Sequence, residues 1–277
     1  MRHRHSLLPS LAFLLLLACS ESLINQAAFQ PTKGSVVDID KLPPSVKHIY
    51  FPTPDGERLS AFWIPHHAAE MTFLYFHGNA GNASQRLALA RQLNALKANV
   101  LLVDYRGYGL SSGEPSEEGV YTDAQAALAL LIGDLGIDQS SIFVYGRSLG
   151  SAVALDLATH FEIPGLILVT PISSGRDLAE MLGVSSAERI VGDAFDNLSK
   201  IKLHSGKILI IAAELDQVLP AEMALRLRDA ANTPVEMIMM PDVGHNNITR
   251  RNPELFYSSI REFCQQTLLS SKPGVSG

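Results

Sequence analysis

The feature that most constrains this chain is an alternation along its length. Short apolar runs at residues 71–76, 100–103, 142–145, 166–169, 208–212 and 235–240 are separated by stretches with helical periodicity. The periodic stretches cover 84–96, 117–131, 149–160, 221–230 and 253–269. In the first of them Leu87, Ala90, Leu93 and Leu96 share one face. Ser116, after Pro115, is placed to cap the second. A run that is apolar at every position is buried on both faces, so the strands it forms need helices on either side of their sheet. Strand and helix in alternation predict a mainly parallel central sheet, an α/β class. Upstream, residues 46–51 and 59–64 flank Pro54-Asp55-Gly56 and read as a hairpin.

These elements fill residues 46–270, one domain's worth of chain. The stretch 171–206 is longer than an ordinary connection and has helical pieces near 178–182 and 187–190. It is expected to form a small cap over the strand ends. Residues 271–277 read as a tail. A net charge of -6 with no long basic run argues against a nucleic-acid partner. A hydrophobic share of 47% against 18% charged residues excludes a disordered chain.

In parallel sheets of this kind ligands bind beyond the carboxyl ends of the strands. The residues that directly follow each apolar run therefore carry the search for chemistry. Gly146-Arg147-Ser148-Leu149-Gly150 fits G-x-S-x-G, between the run 142–145 and the helix 149–160. That setting is the one a nucleophile elbow requires. A sharp turn exposes the serine hydroxyl at a helix N-terminus, and only glycine fits the crowded flanks. Ser148 is the expected nucleophile. A serine hydroxyl needs a base to take its proton. Chains with this elbow place acid and then base after the serine.

Three histidines follow Ser148: His160, His204 and His245. His160 lies on the helix that carries the serine, and His204 precedes a strand at the wrong end of the sheet. His245, in Gly244-His245-Asn246-Asn247 after the last run, is the expected base. Asp216, in Asp216-Gln217-Val218-Leu219-Pro220 after the run 208–212, is the expected acid. Glu214 and Asp242 are its rivals. Pro220 is expected to start the helix that covers 221–230, at a first-turn position. The oxyanion hole is expected from the backbone N–H groups of Leu149 and Asn79, the latter in His77-Gly78-Asn79-Ala80-Gly81. His77 is expected to brace that loop. Asp104-Tyr105-Arg106-Gly107-Tyr108-Gly109 is expected to brace the site wall. No cofactor or metal is expected: no dinucleotide, phosphate-loop or zinc-binding spacing is present. His66 and His67 are adjacent and expected to diverge.

Together the segments His77–Gly81, Asp104–Ser111, Gly146–Gly150 and Gly244–Asn247 resemble the Bem46-type α/β-hydrolases, related to the serine aminopeptidase-like group. The resemblance runs from about residue 46 to 269. It implies an α/β-hydrolase fold and hydrolysis of an acyl ester or thioester through an acyl-enzyme, acting on a small-molecule substrate. A peptidase or amidase with the same triad, and a non-catalytic lipid- or protein-binding scaffold, stay open as alternatives.

The N-terminus reads as a targeting segment. A basic start, Met1-Arg2-His3-Arg4-His5, precedes residues 7–18, apolar apart from Pro9 and Ser10 and too short for the about 20 residues that span a bilayer. Leu16-Leu17-Ala18-Cys19-Ser20 resembles the lipobox of bacterial lipoproteins. Residues 1–18 are thus expected to be a signal peptide and Cys19 a lipidation site. Residues 19–45 are expected to be a tether that can pack in part against the domain. The expected location is the bacterial cell envelope, with the membrane as partner through the lipid anchor and no protein partner. Cys264, on the apolar face of the last helix, is expected to be a buried thiol without a disulfide.

Overall fold

A computed structural model of the protein describes residues 24–26, 28–181, 183–184 and 191–271. The expected signal peptide, Cys19 and nearly all of the tail lie outside the described residues. In chain order the strands are β1 (Gln30–Pro31), β2 (Lys47–Pro52), β3 (Arg58–Ile64), β4 (Met71–Phe76), β5 (Ala80–Gly81), β6 (Ala98–Asp104), β7 (Ile142–Arg147), β8 (Gly165–Val169), β9 (Lys207–Ala213) and β10 (Val235–Met240). The helices are α1 (Leu87–Asn94), α2 (Glu117–Ile132), α3 (Leu149–His160), α4 (Gly175–Met181), α5 (Asn197–Lys200), α6 (Ala221–Ala230), α7 (Ile248–Arg251) and α8 (Pro253–Ser271).

Eight strands form one sheet in the order β10-β9-β8-β7-β4-β6-β3-β2. The antiparallel neighbours are β2 with β3 and β3 with β6, and the other pairs run parallel. The hairpin arises where expected. Its turn closes through Thr53 N–H to the Glu57 carbonyl at 2.8 Å.

Apart from the run at 235–240, which forms the edge strand β10 and leaves Glu236 and Met239 exposed, the apolar runs end up covered on both faces, as their lack of alternation requires. Leu74, Phe76 and Val144 point into a core shared with α2 and α3. Phe73, Tyr75, Phe143 and Tyr145 point the other way, onto α1 and α8, whose Leu93, Phe256, Ile260 and Cys264 are all buried. Each such large apolar side chain stabilises the fold by about 1.5–3 kcal/mol relative to exposure. Burial pushes the Cys264 thiol pKa up, as its apolar surroundings disfavour a thiolate. The cap on α2 is the one the sequence marks: the Ser116 hydroxyl accepts from Gly119 N–H at 3.1 Å.

Four local outcomes differ from or refine the sequence reading. Pro220 sits at the N-cap of α6, one position ahead of the first helical residue, with ψ 148°. His66 and His67 do not diverge: their rings stack at 4.7 Å and 23°. In the expected cap, residues 178–181 of the piece near 178–182 belong to α4, which begins earlier, at Gly175, and residue 182 lies outside the described residues. The piece at 187–190 lies outside the described residues. The later part of the expected tether is packed rather than free. Phe29 is buried against the ring of Phe195 at 6.0 Å, and β1 pairs parallel with β5.

Candidate active site

The register of β4 on β7 sets Phe76 beside Gly146, so the ends of both strands reach the same edge of the sheet. Directly beyond β7 the chain turns at Ser148 with φ 54° and ψ -123°, a conformation that costs on the order of 1–3 kcal/mol for a non-glycine residue. The neighbours explain why the flanking positions are glycine. A Cβ at Gly146 would lie 2.2 Å from the Gly150 carbonyl oxygen, and one at Gly150 would lie 2.2 Å from the Phe76 carbonyl oxygen. Helix α3 is thereby pressed onto β4 and β7. Leu149 is its first residue, so its N–H has no partner within the helix.

His245 Nε2 lies 3.2 Å from Ser148 Oγ, and His245 Nδ1 lies 2.8 Å from Asp216 Oδ2. The other carboxylate oxygen, Oδ1, accepts from the N–H groups of Val218 at 2.9 Å and Leu219 at 2.8 Å. That turn fixes the carboxylate, whose side chain is 1% exposed. A proton on Nδ1, donated to Asp216, leaves the Nε2 lone pair facing the serine hydroxyl. The rival acids stand elsewhere. Glu214 is exposed and accepts from Asp242 N–H at 3.0 Å, and Asp242 is exposed. His160 bonds the Asp156 carbonyl within α3, and His204 lies buried against the Ala158 carbonyl at 3.0 Å. Burial lowers the His204 pKa, which keeps that ring neutral.

The loop after β4 passes directly over Ser148. A Cβ at Gly78 would sit 3.3 Å from Ser148 Cβ. His77 is fully buried, and its Nδ1 donates to the Gly78 carbonyl at 2.7 Å. That carbonyl and the Asn79 N–H belong to one planar trans peptide, so they point in opposite directions. Holding the carbonyl thus sets the direction of the N–H. The Asn79 carbonyl is fixed in turn by Tyr108 Oη at 2.7 Å and by Gln30 N–H at 3.2 Å. Tyr105 Oη donates to the His77 carbonyl at 2.7 Å. Asp104 Oδ1 accepts from Ala83 N–H at 2.7 Å, and Arg106 pairs with Asp123 and Asp55. The 104–109 loop is a brace, as its sequence suggests.

Sequence reasoning misses Arg147. Its guanidinium donates to the His245 carbonyl at 2.7 Å and so ties the Ser148 turn to the histidine loop. The signal for it is its place inside the G-x-S-x-G pentapeptide, at the turn itself. Gln30 and Tyr108 are likewise missed as supports of Asn79. Among the described residues, no group of three or more His, Cys, Asp or Glu side chains is arranged to hold a metal.

The same strand-to-helix turn and its partners occur in a chain with many relatives. Over 243 residues the chain is 35% identical to an uncharacterized protein of Mycobacterium tuberculosis, covering 86% of this chain and 85% of that one. It is 31% identical over 222 residues to human alpha/beta hydrolase domain-containing protein 17B, covering 79% of this chain and 75% of the relative. The chain belongs to the α/β-hydrolase family. Residues 67–200 of this α/β-hydrolase match the family model described as serine aminopeptidase, S33. The fold agrees with an esterase of Pyrococcus furiosus at a TM-score of 0.70 and 19% identity, over 86% of this chain and 99% of that one. It agrees equally with the α/β-hydrolase GrgF from Penicillium sp. sh18, at a TM-score of 0.70 and 17% identity, over 82% and 100% of the two chains. A hydrolase of the α/β type is therefore the general function of the chain.

Proposed function

We propose that the protein is a serine hydrolase that cleaves an acyl ester or thioester through a covalent acyl-enzyme. The observation that carries this reading is the run of contacts from Asp216 through His245 to Ser148, at 2.8 and 3.2 Å, on a strained strand-to-helix turn. In the proposed cycle His245 Nε2 takes the hydroxyl proton as Ser148 Oγ attacks the acyl carbon. The developing oxyanion is held by the N–H groups of Leu149 and Asn79. The leaving alcohol or thiol departs with the proton from His245. Water, activated by the same ring, then attacks the acyl-serine and releases the acid. Asp216 holds the ring's tautomer and stabilises the imidazolium.

The test is hydrolysis of p-nitrophenyl acetate, butyrate and octanoate by residues 20–277, beside Ser148→Ala. The variant is expected to lose at least about 10³-fold in kcat. A folded wild type that neither turns over these esters nor reacts with a fluorophosphonate probe would overturn the reading. We also propose export to the cell envelope with a lipid on Cys19. Intact-mass measurement of the membrane-extracted protein tests it: an unmodified N-terminus refutes the anchor.

A further inference from the structure

Next to Ser148 an open cleft of about 1300 Å³ runs between α1 and α8, with Gly78, Ser148 and His245 at one end. This is ample for a ligand of ordinary size. Its charge is out of keeping with the chain. The protein carries a net -6, yet Arg86, Arg147, Arg250 and Arg261 all line the cleft, against one carboxylate, Glu254. Four arginines elsewhere meet acids: Arg106 with Asp55 and Asp123, Arg176 with Asp193, Arg226 with Asp177 and Arg228 with Asp229, while Arg58 lies over the Tyr50 ring. Three of the cleft arginines rest on backbone carbonyls instead. Arg86 donates to Ala80 at 3.0 Å, Arg147 to His245 at 2.7 Å and Arg250 to Asn246 at 3.4 Å. Among the described residues, no carboxylate forms an ion pair with any of these four.

Arg86 and Arg147 are both half-buried, and their like charges act on one another. Burial lowers the Arg86 pKa, Tyr75 opposes that shift, and the charge of Arg147 lowers it by a lesser amount. Two guanidinium groups that line one partly dry cleft repel, and carbonyl anchors do not cancel the charge. Those anchors do fix the planar groups, leaving the rest of each fork for an incoming anion, the geometry that suits phosphate and carboxylate.

We propose that the ester or thioester cleaved at Ser148 carries an anionic group, a phosphate or a carboxylate, which Arg86 and Arg147 hold, with Arg250 and Arg261 completing the positive cleft. This assignment rests on the hydrolase reading of Ser148 and narrows its substrate class. It disfavours an aminopeptidase, whose substrate presents an ammonium group that this cleft repels.

The experiment compares two matched pairs of esters. One pair is mono-(4-nitrophenyl) glutarate and 4-nitrophenyl valerate, which differ by a carboxylate on the acyl side. The other is 1-decanoylglycerol 3-phosphate and 1-decanoylglycerol, which differ by a phosphate on the leaving group and are presented below micelle formation. At least one pair is expected to favour the anionic member by about tenfold or more in kcat/KM at low salt, the scale of one charge-assisted hydrogen bond. The preference should shrink in high salt and fall in Arg86→Gln and in Arg250→Gln, chiefly through KM. The pair that shows it tells whether the anion sits on the acyl or the leaving side. Turnover of the neutral esters with no anionic preference in either pair overturns the assignment while the hydrolase reading stands. If no ester turns over, calorimetry of the same pairs on Ser148→Ala decides: tighter binding of an anionic member supports the cleft's role, and equal or absent binding overturns it. Fluorophosphonate labelling of Ser148 reports separately on the hydrolase reading.

Discussion

Replacing Asp216 by Asn is the sharpest probe of the triad, because the fold offers the amide a well-defined place. Oδ1 of Asp216 accepts two backbone N–H groups, from Val218 and Leu219, at 2.9 and 2.8 Å. An amide oxygen satisfies those donors equally well, so the substituted side chain will settle with its carbonyl there. Its NH2 then faces His245 Nδ1, where Asp216 Oδ2 stood at 2.8 Å. A donor in that position requires a lone pair on Nδ1 and moves the ring proton to Nε2. The nitrogen 3.2 Å from Ser148 Oγ then carries a hydrogen and cannot act as base. The expected loss is about 10⁴-fold in kcat, the effect of holding a triad histidine in the wrong tautomer.

Stability separates this cause from unfolding. In Asp216→Asn the two N–H groups keep their acceptor, so the melting temperature should move little. In Asp216→Ala they lose it, at a cost of about 1–3 kcal/mol, or roughly 2–10 °C in a domain of this size. Glu214→Gln provides the control, since its carboxylate is exposed and accepts from the Asp242 N–H, away from the histidine. That variant should stay within about twofold of wild type, as surface changes usually do. The assay is p-nitrophenyl butyrate turnover with thermal melts on the same samples. An Asp216→Asn enzyme within about tenfold of wild type, or a Glu214→Gln enzyme that fails instead, refutes the assignment of the acid.

Gly150→Ala should cripple both activity and folding: its Cβ would stand 2.2 Å from the Phe76 carbonyl oxygen, so helix and strand must part. A soluble, fully active variant with an unchanged melting temperature would show that α3 does not press on β4 as described. Tyr108→Phe removes the 2.7 Å bond to the Asn79 carbonyl. Loss of one hydrogen bond costs about 1 kcal/mol, and the expected sign is a kcat several-fold lower at nearly unchanged KM, with equal loss on both parameters as the contrary result. Hydrogen bonds from Arg106, then Thr53, lower the Asp55 pKa to about 2. A depressed carboxylate pKa adds stability above about pH 4, and that share is lost as pH falls toward 2. Asp55 is 46% exposed in its side chain, so Asp55→Asn should cost less than about 1 kcal/mol at pH 7. The difference between variant and wild type in urea unfolding should vanish near pH 2; a gap that widens in acid would contradict it.

The parts of this fold legible in the sequence are those that follow from burial alone. The runs at 71–76 and 235–240 coincide with β4 and β10, and the periodic stretch 149–160 coincides with α3. The structure brings Ser148, Asp216 and His245 together because each closely follows an apolar run, and parallel strands bring such positions to one edge. What cannot be read depends on contacts between distant segments. The pairing of β1 with β5 is two residues long and joins segments 50 positions apart, too short for any periodicity to mark it. Whether Arg147 reaches the His245 carbonyl depends on where a loop 98 residues later comes to lie. Pro220 is shifted by one position because its ψ of 148° is extended, which suits an N-cap as well as its fixed φ does.

The brace around Asn79 explains why the site needs so much more sequence than its triad. A hydroxyl, a ring and a carboxylate supply proton transfer, but acyl transfer depends still more on stabilisation of the oxyanion by donors that do not move. In the proposed mechanism one such donor, Leu149 N–H, is fixed by its helix. The other is on a loop, and loops move unless held. Here His77 holds the peptide's carbonyl, Tyr105 holds the His77 carbonyl, and Tyr108 with Gln30 hold the Asn79 carbonyl. Arg106, paired with Asp55 and Asp123, anchors the loop that carries both tyrosines. Gly109 is tied to the same brace, since with φ 53° a Cβ there would meet the Asp104 carboxylate at 2.1 Å. The Asp-Tyr-Arg-Gly-Tyr-Gly segment contains no reacting group, yet each of its polar side chains fixes the oxyanion loop or the brace beneath it. A substitution at Tyr105 or Arg106 should therefore act on kcat through the position of the Asn79 N–H, while the arginines of the cleft act on KM through the substrate's charge.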